Sequence, residues 1–332
     1  MTLIFLNSPV QLFDSVIPFI EERKLNDITF VAPLELEKFF KKYYSDSNVI
    51  IPSVHPNLIT AETKYKILSN TRKAKKEFKK LFLSYKDENV FVFFTTWSIT
   101  YFYYINELRK NGNKIIIVKS KKGFEYEPSA DIQSYILQKY IRYALGVPNV
   151  ITRKAGGLPI CQFLVDKIEH ETIELNDIEL KNIPDRFRTK EYNNMNIIFA
   201  CNGKLEGAGV DTKSVTKITN ILKEILDKKY PYSYVIKTHP RDREIYGNMQ
   251  KAKKIDPDII FETMLFHEWK YVIGYYSTVL VRAKKYTNAK VISLINLFKW
   301  DNEKLKNYWI TRFSNEEIFM PKTIQELDDL II

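Results

Sequence analysis

The sequence predicts an α/β protein made of two Rossmann-like, doubly wound domains that face a central cleft. The length of 332 residues, with 45% hydrophobic and 14% aromatic residues, suits two buried cores better than one. Short apolar runs alternate with amphipathic helical stretches in both halves, a pattern typical of βαβ units. A charged, glycine-poor stretch over 166–194 separates the halves. We interpret it as the inter-domain connection, which places the domains at residues 1–186 and 187–332.

Apolar runs give the predicted strands in chain order. In the first half they cover residues 3–6, 28–31, 90–94 and 114–118. In the second half they cover residues 196–200, 234–237, 271–273 and 291–294, with helices predicted over 212–229 and 324–332. Parallel strands of a doubly wound sheet present their carboxyl ends at one edge, where ligands bind. The residues that follow each strand are therefore the candidates for a binding site.

The composition indicates which cellular compartment and which class of binding partner suit the chain. The two cysteines, Cys161 and Cys201, cannot build a disulfide framework, which indicates a reducing cytosol. The apolar N-terminal segment lacks a basic flank and is interrupted by polar residues, so we expect neither a signal peptide nor a membrane span there. The net charge of +11 favours an anionic partner. The sequence shows no zinc-finger, RNA-recognition or basic-zipper pattern, which argues against nucleic acid.

A strongly basic segment lies between residues 62 and 85. Its apolar residues recur at helical spacing, at Ala74, Phe78, Leu81 and Tyr85. The pattern predicts a helix that packs inward and turns a basic back to solvent. The same back would also suit peripheral docking on the anionic lipid at the inner face of the cell membrane. The basic residues of the segment include Lys64, Lys66, Arg72, Lys73, Lys75, Lys76, Lys79 and Lys80.

The stretch YVIKTHPRD, residues 234–242, indicates a phosphate site in the second half. A predicted strand ends there on Lys237 and is followed by His239, Pro240 and Arg241. Lysine and arginine neutralise phosphate charge, and a histidine can donate a hydrogen bond or a proton to a leaving phosphate oxygen. A strand-to-loop exit with incidental polar residues is the alternative.

A second stretch, YVIGYYSTVL over residues 271–280, strengthens this interpretation. Its apolar strand ends near Gly274 and leads to Ser277 and Thr278 at the predicted start of a helix. Hydroxyls and free backbone N–H groups at a helix N-terminus bind anions. Alone, the stretch is also compatible with an ordinary helix cap. Together, the two stretches indicate one phosphate-binding corner.

These two stretches resemble the His-Pro and Ser-Ser/Thr motifs of bacterial sialyltransferases, and the pattern is most similar to glycosyltransferase family 52, which includes lipooligosaccharide and capsule sialyltransferases. The run Ser8-Pro9-Val10-Gln11-Leu12 also resembles the start of that family. The resemblance implies a GT-B fold and an inverting transfer of sialic acid, or a related nonulosonic acid, from a CMP-activated donor to a glycan acceptor. It places the donor in the second domain and the acceptor in the first, with no metal and no other cofactor.

The resemblance also implies roles for individual residues. His239 assists the departure of CMP, while Ser277 and Thr278 hold its phosphate. Glu262, which follows the apolar residues 259–261, takes the place of the acid that contacts the ribose hydroxyls, and a surface acid is the alternative. The predicted donor site is completed by Lys237, Pro240, Arg241 and Gly274.

The catalytic base is expected in the loop over 199–211, which leaves the first strand of the second domain. The loop contains Glu206 and Asp211 but lacks the acidic-acidic-glycine arrangement of the family. Either carboxylate could remove the proton of the acceptor hydroxyl. Asp211 is alternatively the N-cap of the helix that starts near residue 212. Reserve candidates in the first domain are Glu125, Glu127 and Asp131.

Other activities share parts of this chemistry. Motifs that bind CMP do not distinguish sialic acid from Kdo, pseudaminate or legionaminate. A teichoic-acid-type CDP-glycerol glycerophosphotransferase also couples a His-Pro with a serine-rich phosphate corner, but no acidic residue follows Ser277-Thr278 within VLVRAKKY. A lectin-like or nucleotide-sensing module, which binds without turnover, is the non-enzymatic alternative.

Overall fold

The structure is a computed structural model of the chain. It describes residues 1–6, 12–54, 67–93, 96–120, 143–146, 151–155, 158–164, 168–175, 187, 192, 194–201, 205, 209–239, 249, 251–256, 259–265 and 267–332. The chain divides into two compact units, Met1–Lys181, which we call unit 1, and Asn182–Ile332, which we call unit 2.

Unit 1 contains a six-stranded parallel sheet and a small antiparallel sheet. The strands are β1 Thr2–Phe5, β2 Ile28–Val31, β3 Asn48–Ile50, β4 Asn89–Val92, β5 Thr96–Ser98, β6 Lys114–Ser120, β7 Ile151–Ala155, β8 Leu158–Leu164 and β9 Glu171–Leu175. The parallel sheet has the order β3-β2-β1-β4-β6-β9, and the antiparallel sheet has the order β5-β8-β7. The strand order of the parallel sheet reverses between β1 and β4, as in doubly wound folds.

Helices cover both faces of the parallel sheet of unit 1. They are α1 Ile17–Arg23, α2 Glu37–Tyr43, α3 Ile67–Leu81 and α4 Ile99–Lys110. On one face, the ring of Phe19 in α1 lies 5.0 Å from that of Phe91 in β4. On the other face, Phe82, which directly follows α3, lies 6.0 Å from Phe5 in β1 and 5.1 Å from Tyr104 in α4. The apolar runs of β1, β2 and β4 are therefore buried on both sides.

The stretch interpreted as the inter-domain connection contains a strand that the sequence analysis does not predict. Glu171–Leu175 forms β9, which pairs in parallel with β6 at the edge of the unit 1 sheet. The interpretation of residues 166–194 as a connection is therefore wrong over β9. The strand escapes detection because most of its residues are exposed, so it lacks the apolar run of a central strand.

Unit 2 is a five-stranded parallel sheet with helices on both faces. Its strands are β10 Ile197–Ala200, β11 Tyr234–Lys237, β12 Lys253–Ile255, β13 Tyr271–Gly274 and β14 Lys290–Ser293, in the order β12-β11-β10-β13-β14. Its helices are α5 Thr212–Lys229, α6 Phe261–Met264, α7 Thr278–Tyr286, α8 Glu303–Asn315 and α9 Ile324–Leu330. The order reverses between β10 and β13, which is the point where doubly wound sheets bind ligands.

Helices α5 and α7 lie on opposite faces of this sheet. The hydroxyl of Tyr234 in β11 donates to Asp227 of α5 at 2.6 Å, and the hydroxyls of Tyr275 and Thr219 of α5 are 2.6 Å apart. Burial and the contact with Asp227 raise the pKa of Tyr234, so its phenol stays a neutral donor. Leu280 of α7 instead packs against Gly274 of β13.

The two parallel sheets confirm the predicted fold class of two Rossmann-like, doubly wound domains. Helix α5 begins and ends at the predicted residues, and the strands β2 and β11 do so as well. Strand β12 is not predicted, because it is short and begins with two exposed lysines. None of the described helices is both long enough and apolar enough to cross a bilayer.

Candidate functional site

The candidate site lies at the carboxyl edge of the unit 2 sheet. Lys237, Ala200 and Gly274 stand in register there, on the adjacent strands β11, β10 and β13. Residues in register on parallel strands point to the same face. Neighbouring strands are about 4.8 Å apart, so Lys237 and Gly274 are separated by about 10 Å. Lys237 therefore shares a face with Gly274 and with α7.

Lys237 and His239 bring a cation and an imidazole to this edge. Lys237 is only 3% exposed, and its Nζ donates a hydrogen bond to the carbonyl oxygen of Thr238 at 2.6 Å. His239 follows two residues further on, just past the end of β11. His239 is half-buried. An ammonium group and an imidazole at one strand end can bind an anion and supply a proton to it.

Gly274 allows α7 to lie close to the strand end. A Cβ at this position would lie 3.1 Å from the carbonyl oxygen of Ala200 and 3.2 Å from Cδ2 of Leu280 in α7. Both distances are tighter than ordinary van der Waals contact, so a side chain would push the helix away from the sheet. The glycine thus holds the N-terminus of α7 at the carboxyl edge.

Ser277 and Thr278 form that N-terminus. Ser277 is the N-cap, and its Oγ accepts a hydrogen bond from the backbone N–H of Val279 at 3.3 Å. A hydroxyl that accepts in this way keeps its own proton to donate to an anion. The first N–H groups of a helix, including that of Thr278, have no partner within the helix. This helix end therefore offers hydrogen-bond donors and a partial positive charge.

The N-terminus of α5 follows the neighbouring strand β10 but already carries a carboxylate. Asp211 is the N-cap of α5, and its Oδ1 accepts from the backbone N–H of Lys213 at 3.0 Å. The capping role, which was the alternative for Asp211, is therefore formed, while its role as a base stays a prediction. An anion is favoured at α7, because the cap of α7 is an uncharged serine and that of α5 is an acid.

The residues just before α5 are fastened to the segment that follows β14. Val210 and Trp300 form an antiparallel bridge, and the backbone N–H of Asp211 donates to the carbonyl oxygen of Lys299 at 3.1 Å. Gly209 has a φ of +69°, and a Cβ there would lie 2.8 Å from the Cβ of Asn302. The position of this loop end therefore depends on a glycine at 209.

Glu262 is buried and ion-paired. It lies in α6, is 6% exposed, and bonds to Nη1 of Arg282 in α7, which is 6% exposed as well. The alternative of a surface acid is therefore wrong for Glu262. The pair joins α6 to α7, the helix whose N-terminus contains Ser277. The predicted contact of Glu262 with ribose hydroxyls stays a prediction.

Several predicted residues lie outside the described part of the chain, and their roles stay predictions. They are Pro240, Arg241 and Glu206 of the second half, the reserve bases Glu125, Glu127 and Asp131, and residues 8–11 of the run Ser8-Pro9-Val10-Gln11-Leu12. Within the described ranges, no group of three or more His, Cys, Asp or Glu side chains is placed to hold a metal ion.

Sequence reasoning misses two residues of this edge. Arg282 is signalled only weakly, as a single arginine inside the otherwise apolar run VLVRA. Thr238 gives no signal, yet it is 7% exposed and its Oγ1 has no hydrogen-bond partner in the described part of the chain. A buried hydroxyl without a partner carries a desolvation cost, which makes Thr238 an unusual neighbour for Lys237 and His239.

No protein-family model and no curated protein sequence matches the chain. Similar solved structures include the calicheamicin glycosyltransferase CalG4, at 10% identity and a TM-score of 0.46, covering 99% of this chain and 88% of that one. A UDP-N-acetylglucosamine 2-epimerase has 9% identity and a TM-score of 0.46, covering 99% and 89%. The GT-B domain of a sialyltransferase from Photobacterium damselae has 12% identity and a TM-score of 0.44, covering 96% and 100%. These low identities and TM-scores leave the choice of an activity to the residues of the chain itself.

Proposed function

We propose that the chain is an inverting GT-B-type glycosyltransferase. It moves sialic acid, or a related nonulosonic acid, from a CMP-activated donor to a glycan acceptor of a surface polysaccharide or lipooligosaccharide. Unit 2 binds the CMP-sugar, and unit 1 supplies the acceptor side. The resemblance of residues 234–242 and 271–280 to glycosyltransferase family 52 supports the choice of donor.

One observation carries this proposal. Lys237 shares one edge and one face of the unit 2 sheet with Gly274, against which α7 packs, beside the reversal of strand order, and His239 follows Lys237 by two residues. A departing nucleotide phosphate needs a cation, a proton donor and several hydrogen-bond donors. The edge offers each of these groups, and it offers them where doubly wound sheets bind ligands.

In the proposed reaction, the acceptor hydroxyl attacks the anomeric carbon of the nonulosonic acid. The bond from this carbon to the phosphate oxygen of CMP breaks, and negative charge develops on that phosphate. Lys237, the hydroxyl of Ser277 and the N–H groups of α7 stabilise this charge, and His239 donates a proton or a hydrogen bond. These groups stabilise the phosphate charge in place of a metal ion.

A carboxylate removes the proton of the attacking hydroxyl. Glu206 is the preferred candidate, because Asp211 is engaged as the cap of α5. Glu262 is proposed to contact the ribose of CMP. A carboxylate has about four acceptor positions on its two oxygens, so this contact is compatible with the bond from Arg282.

The choice of donor is tested by measuring nucleotide release. The protein is incubated separately with CMP-sialic acid, CMP-Kdo and CDP-glycerol, each with and without a chelator and with and without a sugar acceptor. We expect CMP release from a CMP-nonulosonic acid, unaffected by the chelator, and none from CDP-glycerol. Release from CDP-glycerol alone would instead assign the chain to glycerophosphate transfer.

The place of the phosphate is tested by calorimetric titration with CMP. The variant Ser277→Ala with Thr278→Ala should weaken binding by about 1.5 to 3 kcal/mol for each lost bond to the charged phosphate. Thr323→Ala is the matched control, because Thr323 also caps a helix of unit 2 and accepts from the backbone N–H of Glu326 at 3.1 Å. If both variants bound CMP like the parent, the phosphate corner would be misplaced.

A further inference from the structure

A second charged feature lies on the outer side of α3 in unit 1. Ala74, Phe78 and Phe82 point inward and are buried. The exposed cations of α3, which we call the cationic face, are Arg72, Lys73, Lys75, Lys76, Lys79 and Lys80. The helical prediction is thus confirmed over residues 67–81, with Ala74 and Phe78 of the predicted apolar row buried. Leu81 is half-buried, and Tyr85 is buried but lies beyond the end of the helix. Lys64 and Lys66 lie outside the described part of the chain.

No described carboxylate neutralises the cationic face. The acid of α3 is Glu77, whose Oε1 accepts from both the backbone N–H and the hydroxyl of Ser53 at 2.6 Å, and whose Oε2 accepts from the hydroxyl of Tyr104. The carboxylate is therefore engaged with neighbouring elements. The ion pairs described in unit 1 use other cations, namely the N-terminal amino group, Lys41, Arg109, Lys110 and Lys114.

Two exposed leucines flank the cationic face. Leu68, in the first turn of α3, is 60% exposed, and Leu83, two residues after the helix ends, is 51% exposed. At 3.6 residues per turn, Leu68, Arg72 and Lys79 lie within a stripe about 40° wide. Exposed cations next to exposed large apolar side chains can bind an anionic bilayer, through attraction to its phosphates and through burial of the apolar side chains at its surface. Phosphate contacts with nucleic acid need the cations but not the leucines.

We propose that α3 docks unit 1 on a bilayer that contains anionic phospholipid. The cationic face contacts the headgroup phosphates, and Leu68 and Leu83 insert at the boundary of the acyl chains. Attraction between lysines and an anionic surface acts over a Debye length of about 10 Å at 0.1 M salt, so binding weakens as salt is added. This inference does not depend on the activity of unit 2.

Co-sedimentation of the full chain with vesicles tests the proposal. We expect binding to an equal mixture of phosphatidylcholine and phosphatidylglycerol, and little binding to phosphatidylcholine alone. The triple variant Lys75→Gln, Lys76→Gln and Lys79→Gln should bind the mixed vesicles on the order of 100-fold more weakly. The matched control removes the same number of charges from exposed positions in unit 2, and should bind like the parent; it combines Lys217→Gln, Lys228→Gln and Lys304→Gln.

The leucines distinguish lipid from other polyanions. The variant Leu68→Ser with Leu83→Ser should lose at least about tenfold in vesicle binding. Its binding to a single-stranded oligonucleotide, followed by fluorescence anisotropy, should equal that of the parent. Urea unfolding checks that each variant is folded. Unchanged vesicle binding by the leucine variant, or an equal loss in both lysine triples, would overturn the proposal.

Discussion

Each unit contains its own doubly wound parallel sheet, but the units differ in whether their charged side chains are buried or exposed. Unit 2 buries Lys237, Glu262 and Arg282, all in β11 or in the helices α6 and α7. In the described part of unit 1, the buried polar side chains are uncharged, and the cations of α3 are exposed. Burying a charge costs stability unless the charge is paired. The comparison indicates that the buried charges Glu262 and Arg282 of unit 2 depend on each other, whereas the cations of α3 remain in contact with solvent.

The largest effect is expected from breaking the buried ion pair of unit 2. Glu262→Ala removes the counter-charge of Arg282, and removing one partner of a buried pair costs about 3 to 5 kcal/mol. We expect a loss of this size in the free energy of unfolding, measured in urea. The double variant Glu262→Gln with Arg282→Met removes both charges and should recover most of the loss. A loss below about 1 kcal/mol in Glu262→Ala would show that the pair does not hold α6 to α7.

The sequence predicts those features of unit 2 that depend on residues close together in the chain. Helix α5 has an acidic cap at Asp211 and apolar residues at helical spacing, so its bounds follow from neighbouring residues. Lys237, His239 and Ser277 are found because each one lies at or just after the carboxyl end of a predicted strand. The partner of Glu262 cannot be found in this way, since Arg282 is 20 residues further along the chain and only the packing of α7 beside α6 brings them together.

An intermediate effect is expected at the loop end before α5. Gly209→Ala forces an alanine into the left-handed region, at about 1 to 2 kcal/mol, and also brings its Cβ into the side chain of Asn302. We expect a total cost of about 2 to 4 kcal/mol in unfolding experiments. If the base lies in this loop, turnover should fall by more than CMP affinity does.

A glycine of unit 1 provides the control for Gly209. Gly146 has a φ of +65°, and a Cβ added there meets no atom of the described residues within 4 Å. Gly146→Ala therefore carries the backbone strain without the steric contact, and should cost about 1 to 2 kcal/mol. If the two variants lost the same free energy of unfolding, the close approach of Gly209 to Asn302 would not determine the position of the loop.

A smaller effect of opposite sign is expected on α3. Lys76 has like charges three and four residues away on both sides, at Arg72, Lys73, Lys79 and Lys80. Each such pair destabilises a helix by about 0.2 to 0.5 kcal/mol, and glutamine has nearly the helix propensity of lysine. Removing four such pairs, Lys76→Gln should therefore raise the free energy of unfolding by about 0.8 to 2 kcal/mol at low salt. The gain should shrink as salt is added.

Lys228 in α5 sharpens the contrast, because it stands four residues after Glu224, in the favourable orientation of an acid and a base on a helix. Lys228→Gln should lower the stability by about 0.3 to 0.5 kcal/mol, again at low salt. The two substitutions are chemically identical, so the difference in sign isolates the surroundings of each lysine. If Lys76→Gln raises the free energy of unfolding, the cationic face of α3 destabilises the fold. This is expected of a surface that binds an anionic partner. A loss at Lys76 equal to that at Lys228 would mean that these lysines stabilise the helix, and the cationic face would then need no partner to explain it.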